Sequence, residues 1–215
     1  MTSMNTPTSQ ALESTSSWTT QTVGMSVDIL HRMERAVARV RERLLRATAA
    51  LNSIGVPYAV VGGNAVASWV ATVDEGAVRN TRDVDLLVRR IDLPAITAAL
   101  EQAGFVHGEL LGVVMFRDGP DGKASEAIHL LFAGEKTRPD HFLAAPEIQT
   151  TLDPANYRVI TLESLLTMKL MSNRDKDRTH LRDLIGVGLL DSSWLTKLPP
   201  ELAKRLQDIL DTPEN

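Results

Sequence analysis

The sequence predicts a mixed α/β domain, a sheet flanked by helices, with a long helix ahead of it and a small helical part behind. Three observations carry that expectation. Two apolar strand-like runs, Tyr58 to Val61 and Thr81 to Val88, flank a helix-like segment. Ahead of them, Leu30, Met33, Val37, Val40, Leu44, Ala47 and Leu51 recur in steps of three and four, the period of an amphipathic helix. Beyond residue 160 the periodicity is again helical, broken at Pro199-Pro200.

Taken in order, residues 1–24 differ in composition from the rest. Half of them are Ser or Thr and none is Lys or Arg. A chain so poor in large apolar groups is expected to be disordered, and without a basic start or an apolar centre it does not read as a secretory signal. Met25 is an alternative start of the chain. Ser26 is the expected N-cap of the first helix, which Gly55 and Pro57 end near Ser53. Its apolar stripe reads as core packing and its Arg residues as a solvated face. Tyr58 to Val61 is the first strand, Asn64 to Ala71 a helix, and the run to Val88 the second strand. Asp92 then caps a helix from Leu93 to Ala103. Leu110–Arg117 and Glu126–Phe132 read as a strand pair around the turn Asp118-Gly-Pro-Asp-Gly-Lys123. Gly134 to Thr151 is polar and irregular, either closing over a ligand or forming a surface loop. Tyr157 to Ile160 is a short strand, and Thr161 caps a helix running past Met171. The expected organisation is a tail over 1–24, a catalytic-type domain over 25–160 and a helical subdomain over 161–215.

Composition narrows the chemistry. The 215 residues contain no cysteine, which excludes disulfides, thiolate catalysis and Cys-bound zinc. The net charge of −4 provides no global attraction for nucleic acid, and 4% aromatic residues provide few platforms for stacked bases. No apolar run is long enough for a transmembrane helix. A cytoplasmic location and no membrane partner are expected.

The sharpest signal is Asp83-Val84-Asp85. Residues i and i+2 of a strand share a face, so two carboxylates meet there and repel unless a cation lies between them. Mg²⁺ or Mn²⁺, hard ions that take carboxylates together with substrate phosphates, suit such a pair. Gly62-Gly63 allows close backbone approach to a phosphate, and the helix beginning near Asn64 offers free N–H groups to an anion. Arg79 or Arg82 can hold a triphosphate or pair with the Asp residues.

Val61-Gly62-Gly63 followed by Asp83-Val84-Asp85-Leu86 resembles the signature of the nucleotidyltransferase superfamily with the DNA polymerase β-like fold. The resemblance covers roughly Tyr58 to Leu131. Met168-Lys169-Leu170 through Arg182-Asp183-Leu184 resembles the Lys…Arg-Asp segment of the AbiEii-type toxin branch, although the further Asp of that branch is Gly186 here. The resemblance implies a nucleotidyltransferase-like sheet and transfer of a nucleoside monophosphate from an NTP to a hydroxyl of RNA such as tRNA, a protein or a small molecule. It implies Asp83 and Asp85 as metal ligands, with Gly62, Gly63, Asn64, Arg82 and Lys169 around the nucleotide and Asp183 near the same site. It also implies a toxin of a toxin–antitoxin pair, with an antitoxin as partner. The third carboxylate of active relatives corresponds to His129, which can serve as a base but is a poor Mg²⁺ ligand. The alternative is a degenerate relative that binds nucleotide or a partner without transfer.

Overall fold

The computed structural model describes the backbone of residues 16–153 and 156–212, with side chains from residue 28 onwards. Two compact units are present, residues 1–39 and 40–215. Helix α1 covers Ser16–Ser53 and so starts ten residues before the expected Ser26 cap. The rest of the expected disordered tail, residues 1–15, lies outside the described residues. The stripe on α1 is core only in its second half. Leu44, Ala47 and Leu51 are buried, whereas Leu30, Met33 and Val37 are 58%, 59% and 40% exposed.

Within residues 40–215 a seven-stranded mixed sheet forms, in the order β3-β4-β5-β2-β1-β7-β6. Its central strands are β1 (Tyr58–Val61), β2 (Val84–Val88) and β5 (Ile128–Phe132). β1 runs antiparallel to β2, and β2 parallel to β5. These strands are nearly continuous in Val, Leu and Ile because both of their faces are covered. Tyr58, Leu86, Leu87 and Ile128 are fully buried. The outer strands are β3 (Phe105–Leu110), β4 (Val113–Asp118), β6 (Thr150–Leu152) and β7 (Arg158–Ile160).

The helices are α2 (Gly62–Ala71), α3 (Leu93–Gln102), α4 (Leu162–Ser172), α5 (Asp175–Gly186) and α6 (Pro200–Leu210). α2 packs on β1, β2 and β7 and also touches α4 and α5. Trp69 on α2 donates its indole N–H to the Ile160 carbonyl at 3.0 Å, tying the helix to the end of β7. Leu165, Leu166 and Leu170 bury one side of α4, as its sequence pattern requires.

Three expectations need correction. The run read as one strand from Leu110 is two, β3 and β4, turned at Leu111-Gly112. Both residues there have positive φ, 51° and 79°, the backbone of a tight hairpin between twisted strands. The Asp92 carboxylate accepts from Arg89 at 2.6 Å rather than capping α3. Arg43 does not belong to a solvated face. It is 3% exposed, donating to the Asp118 carboxylate at 3.2 Å and to the Arg82 carbonyl at 3.2 Å, with Glu126 at 3.8 Å. Arg46 also pairs with Asp118. The turn read from composition is therefore an anchor as well, connecting α1 to the segment that leads into β2.

Arg43→Met keeps the apolar stem but leaves Asp118 and the Arg82 carbonyl without this partner. Urea unfolding should show a loss of about 2 kcal/mol. An unchanged midpoint would mean that water or Arg46 fully replaces the contact.

Candidate active site

The pairing of β1, β2 and β5 builds the site. Register sets Val61 opposite Asp85, and Asp85 opposite His129. Asp83 lies just ahead of β2, not within it as expected, because the strand starts at Val84. One ligand atom from each of Asp83, Asp85 and His129 lies within 4.8 Å of the others. The expected meeting of the two carboxylates with His129 is therefore what the geometry contains.

Each of these groups is held. Thr81 donates to the Asp83 carboxylate at 2.7 Å, and Lys176 lies 3.4 Å from the same oxygen. Burial pushes the Asp83 pKa up, but the Thr81 hydrogen bond and the Lys176 charge outweigh it, and the net shift is downward. His129 Nδ1 lies 3.6 Å from Asp85 Oδ1. That contact with Asp85 raises the imidazole pKa against the opposing effect of burial. Glu126, in the turn ahead of β5, pairs with Arg43 at 3.8 Å and does not line the cleft.

The glycine pair has a local reason. Gly62 has φ +66°, and a Cβ there would lie 2.0 Å from Asp85 Oδ2. A Cβ on Gly63 would lie 2.8 Å from Thr81 Oγ1. Both positions need hydrogen because the protein's own carboxylate and hydroxyl pack against the backbone. α2 begins at Gly62 without a side-chain cap, so its first N–H groups open beside Asp85. Asn64 donates its amide to the Asp83 carbonyl at 2.8 Å, locking α2 to the start of β2.

These groups form one end of a cleft of about 460 Å³. Lys169, Arg174, Lys176 and Asp177 supply one wall, and the segment after β5, with Lys136 and Arg138, another. Lys169 is buried and bound to Asp177 at 3.0 Å, and Arg174 donates to the same carboxylate at 2.7 Å. Asp177 is fully buried, which raises its pKa, yet these two cations hold it far below the usual carboxylate range. Lys169 thus lines the cleft with its ammonium taken up by Asp177.

Asp183 does not line the cleft. It binds Arg79 at 2.8 Å. It is seven residues beyond Lys176 on α5, about 10 Å further along the axis. Arg82 is exposed and lines a smaller neighbouring cavity with Asn80, Thr81, Ser125 and Lys176. Sequence reasoning missed Arg174, Lys176 and Asp177. Their signal was the charged run Asn173–Arg178, which Asn173 interrupts with a left-handed residue between α4 and α5.

The donor set fits a divalent cation. Two carboxylate oxygens and an imidazole nitrogen converge, and Thr81 and Lys176 keep one carboxylate ionised. The mixed oxygen and nitrogen ligands suit Mn²⁺ or a similar ion better than Mg²⁺.

No protein-family model matches this sequence, and no curated protein matches it. The fold is similar to the solution structure of the antibiotic-resistance factor ANT(2'')-Ia, with a TM-score of 0.52 and 15% identity over 82% of this chain and 92% of that one. The crystal structure of ANT(2'')-Ia in complex with adenylyl-2''-tobramycin has a TM-score of 0.45 at 15% identity, over 81% and 88% of the two chains. An antigenic nucleotidyltransferase-like protein from Paracoccidioides brasiliensis gives 0.47 at 19% identity, over 82% and 87%. The first of these matches shows that the chain shares the mixed α/β fold of ANT(2'')-Ia. No described helix is long and apolar enough to cross a membrane.

His180, buried on α5, gives a pH test. Burial, with the charges of Lys169 and Lys176, lowers its pKa from 6.5 to about 4, against the opposing pull of Asp177 and Asp83. A depressed pKa means that the unfolded chain takes up the proton first. This contribution to stability is complete above pH 6.5 and is lost as pH falls towards 4. The loss amounts to at most about 3 kcal/mol. Denaturant unfolding at a series of pH values should be steeper for the wild type than for His180→Gln over that window. Parallel curves would exclude His180 as the cause.

Proposed function

We propose that this protein is a metal-dependent nucleotidyltransferase that moves a nucleoside monophosphate from an NTP to an acceptor hydroxyl. The observation that carries the reading is the convergence of Asp83, Asp85 and His129 within 4.8 Å at the open N-terminus of α2. Asp83 and Asp85 would hold a divalent cation, Mn²⁺ or Mg²⁺, whose chemistry is to neutralise charge on the α-phosphate and align it with the acceptor. The first N–H groups of α2, at Gly62 and Gly63, donate to the oxygens of the phosphate chain. Lys176 and Arg174 are exposed at the cleft and add positive charge as pyrophosphate departs. Lys169 contributes through the Asp177 pair that orients Arg174. The acceptor oxygen bonds to the α-phosphorus, the bond from phosphorus to the pyrophosphate oxygen breaks, and the hydroxyl proton passes to water, or to neutral His129 where Asp83 and Asp85 hold the cation without it. Asn64 holds Asp83 from behind. Arg82 borders the site.

The acceptor classes are RNA such as tRNA, a protein or a small hydroxylated compound. A toxin role with an antitoxin partner rests on the Lys169 to Asp183 resemblance alone. Purified protein with each α-labelled NTP, Mn²⁺ or Mg²⁺, and total RNA should label an acceptor. Asp83→Asn and Asp85→Asn should each reduce labelling by about 100-fold or more. Growth arrest on expression that disappears with Asp85→Asn would support the toxin role. Persistent labelling in both variants would sink the metal-site reading.

The second reading, a degenerate relative that binds without transfer, is favoured by one contact. Protonated His129 beside Asp85 can neutralise that carboxylate by itself. His129→Asp separates the two readings. If His129 occupies a working ligand position, the variant should transfer faster with Mg²⁺ relative to Mn²⁺ than the wild type does, because an oxygen ligand replaces nitrogen. Transfer in neither protein, with metal-dependent nucleotide binding retained, supports the degenerate reading.

A further inference from the structure

We propose that the acceptor carries a phosphate group, held by Lys136 and Arg138, and that the site refuses polycationic acceptors. This rests on the transfer reading above and deepens it. The cleft is lined by six cationic side chains, Arg90, Lys136, Arg138, Lys169, Arg174 and Lys176. Its carboxylates are Asp83, Asp85, Glu135 and Asp177.

The carboxylates are committed. Glu135 accepts two hydrogen bonds from Arg90, at 2.7 and 2.6 Å. Asp177 accepts from Lys169 and Arg174. Asp83 and Asp85 belong to the metal in the transfer reading. The ammonium groups of a polyamine would therefore find no uncommitted carboxylate among the described residues that line the cleft. Desolvating them without partners is unfavourable.

Lys136 and Arg138 are the opposite case. Both are exposed, both line the cleft, and neither forms an ion pair with a described residue. Asp140, another carboxylate of the same segment, does not line the cleft. The segment is pinned at its base. Gly134 N–H donates to the Ala145 carbonyl at 3.0 Å, and Ala145 N–H to the Glu135 carbonyl at 2.8 Å. The Arg90–Glu135 fork fixes the same corner, with Arg90 stacked 3.5 Å from the Phe132 ring centre. Two cations two residues apart thus stand on a braced loop. A phosphate matches them, because a guanidinium fork can take two of its oxygens while an ammonium takes the third.

The test measures binding, not turnover. Wild type, Lys136→Glu/Arg138→Glu and Lys136→Gln/Arg138→Gln are titrated with a tetranucleotide RNA, a nucleoside monophosphate and a polyamino sugar. Each protein is also titrated with Mn²⁺ plus a non-hydrolysable NTP. The expected result is wild-type binding of at least one phosphate ligand, at least tenfold weaker in the Glu pair and intermediate in the Gln pair. Affinity for the metal–NTP probe should change less than twofold, and the polyamino sugar should not bind. Binding of the RNA alone identifies a strand end as the source of the phosphate, and binding of the monophosphate alone identifies a small metabolite. Phosphate-ligand affinity unaffected by the substitutions overturns the proposal. So does tighter binding of the polyamino sugar than of either phosphate ligand. Equal weakening of the NTP probe also overturns it, by assigning both cations to the triphosphate. Failure of the wild type to bind the NTP probe at all defeats the transfer reading itself, and the acceptor assignment with it.

Discussion

The close approach of Gly62 to Asp85 is the contact on which the site depends. Antiparallel pairing of β1 with β2 sets Val61 opposite Asp85, so the backbone leaving β1 passes directly over that carboxylate. There is no room for a side chain, since a Cβ on Gly62 would fall 2.0 Å from Asp85 Oδ2. The positive φ of Gly62 turns the chain at once into α2, and the helix opens beside the carboxylates. A helix N-terminus carries partial positive charge, so Asp85 is stabilised where two carboxylates would otherwise repel. One steric requirement thereby fixes the strand pairing, the helix start and the local field together.

The second determinant is how charge is distributed between paired and unpaired groups. The whole chain is acidic, at −4, yet its cleft carries more cationic than anionic side chains. Burial decides which of them are available. Lys169 and Asp177, 6% and 1% exposed, are held together out of water and neutralise each other. Breaking such a pair leaves an uncompensated buried charge, so it braces the α4–α5 junction. Arg174 and Lys176, about half exposed, keep their stems on that brace and their charge in the cleft. The buried pair thus gives position, and the exposed pair gives field.

Much of the architecture was legible in the sequence where physics is local. The apolar runs of β1 and β2 and the stop at Gly55 and Pro57 appear where composition and period indicate. Asp85 and His129 converge because strand register pairs them, and Asp83 joins them from just ahead of β2, where the i, i+2 rule anticipates it. Features that depend on distant partners were not legible. The exposed stripe at Leu30, Met33 and Val37 has the same period as the buried one at Leu44, Ala47 and Leu51, and period alone cannot tell them apart. Arg43 looked like its neighbours until Asp118, 75 residues away, gave it a buried partner. Asp183 lies in a segment whose resemblance suggested the site, but the length of α5 carries it to Arg79. The turn at Leu111-Gly112 was hidden because Leu110, Leu111 and Val113 read as one apolar strand.

His129 follows the same logic of register and charge. β5 offers the Asp83–Asp85 cluster one side chain, the residue paired with Asp85. A carboxylate there would add a third negative charge to a half-buried cluster and would depend on cations for its stability. An imidazole avoids that cost. The contact with Asp85 raises its pKa against the opposing effect of burial, so an imidazole here takes up a proton more readily than a free one. A metal ion must displace that proton before the nitrogen can coordinate, so metal and proton compete for one position. The exchange leaves the cluster compensated in either state, which makes a lone histidine compatible with two aspartates where a third acid would require a permanent cation.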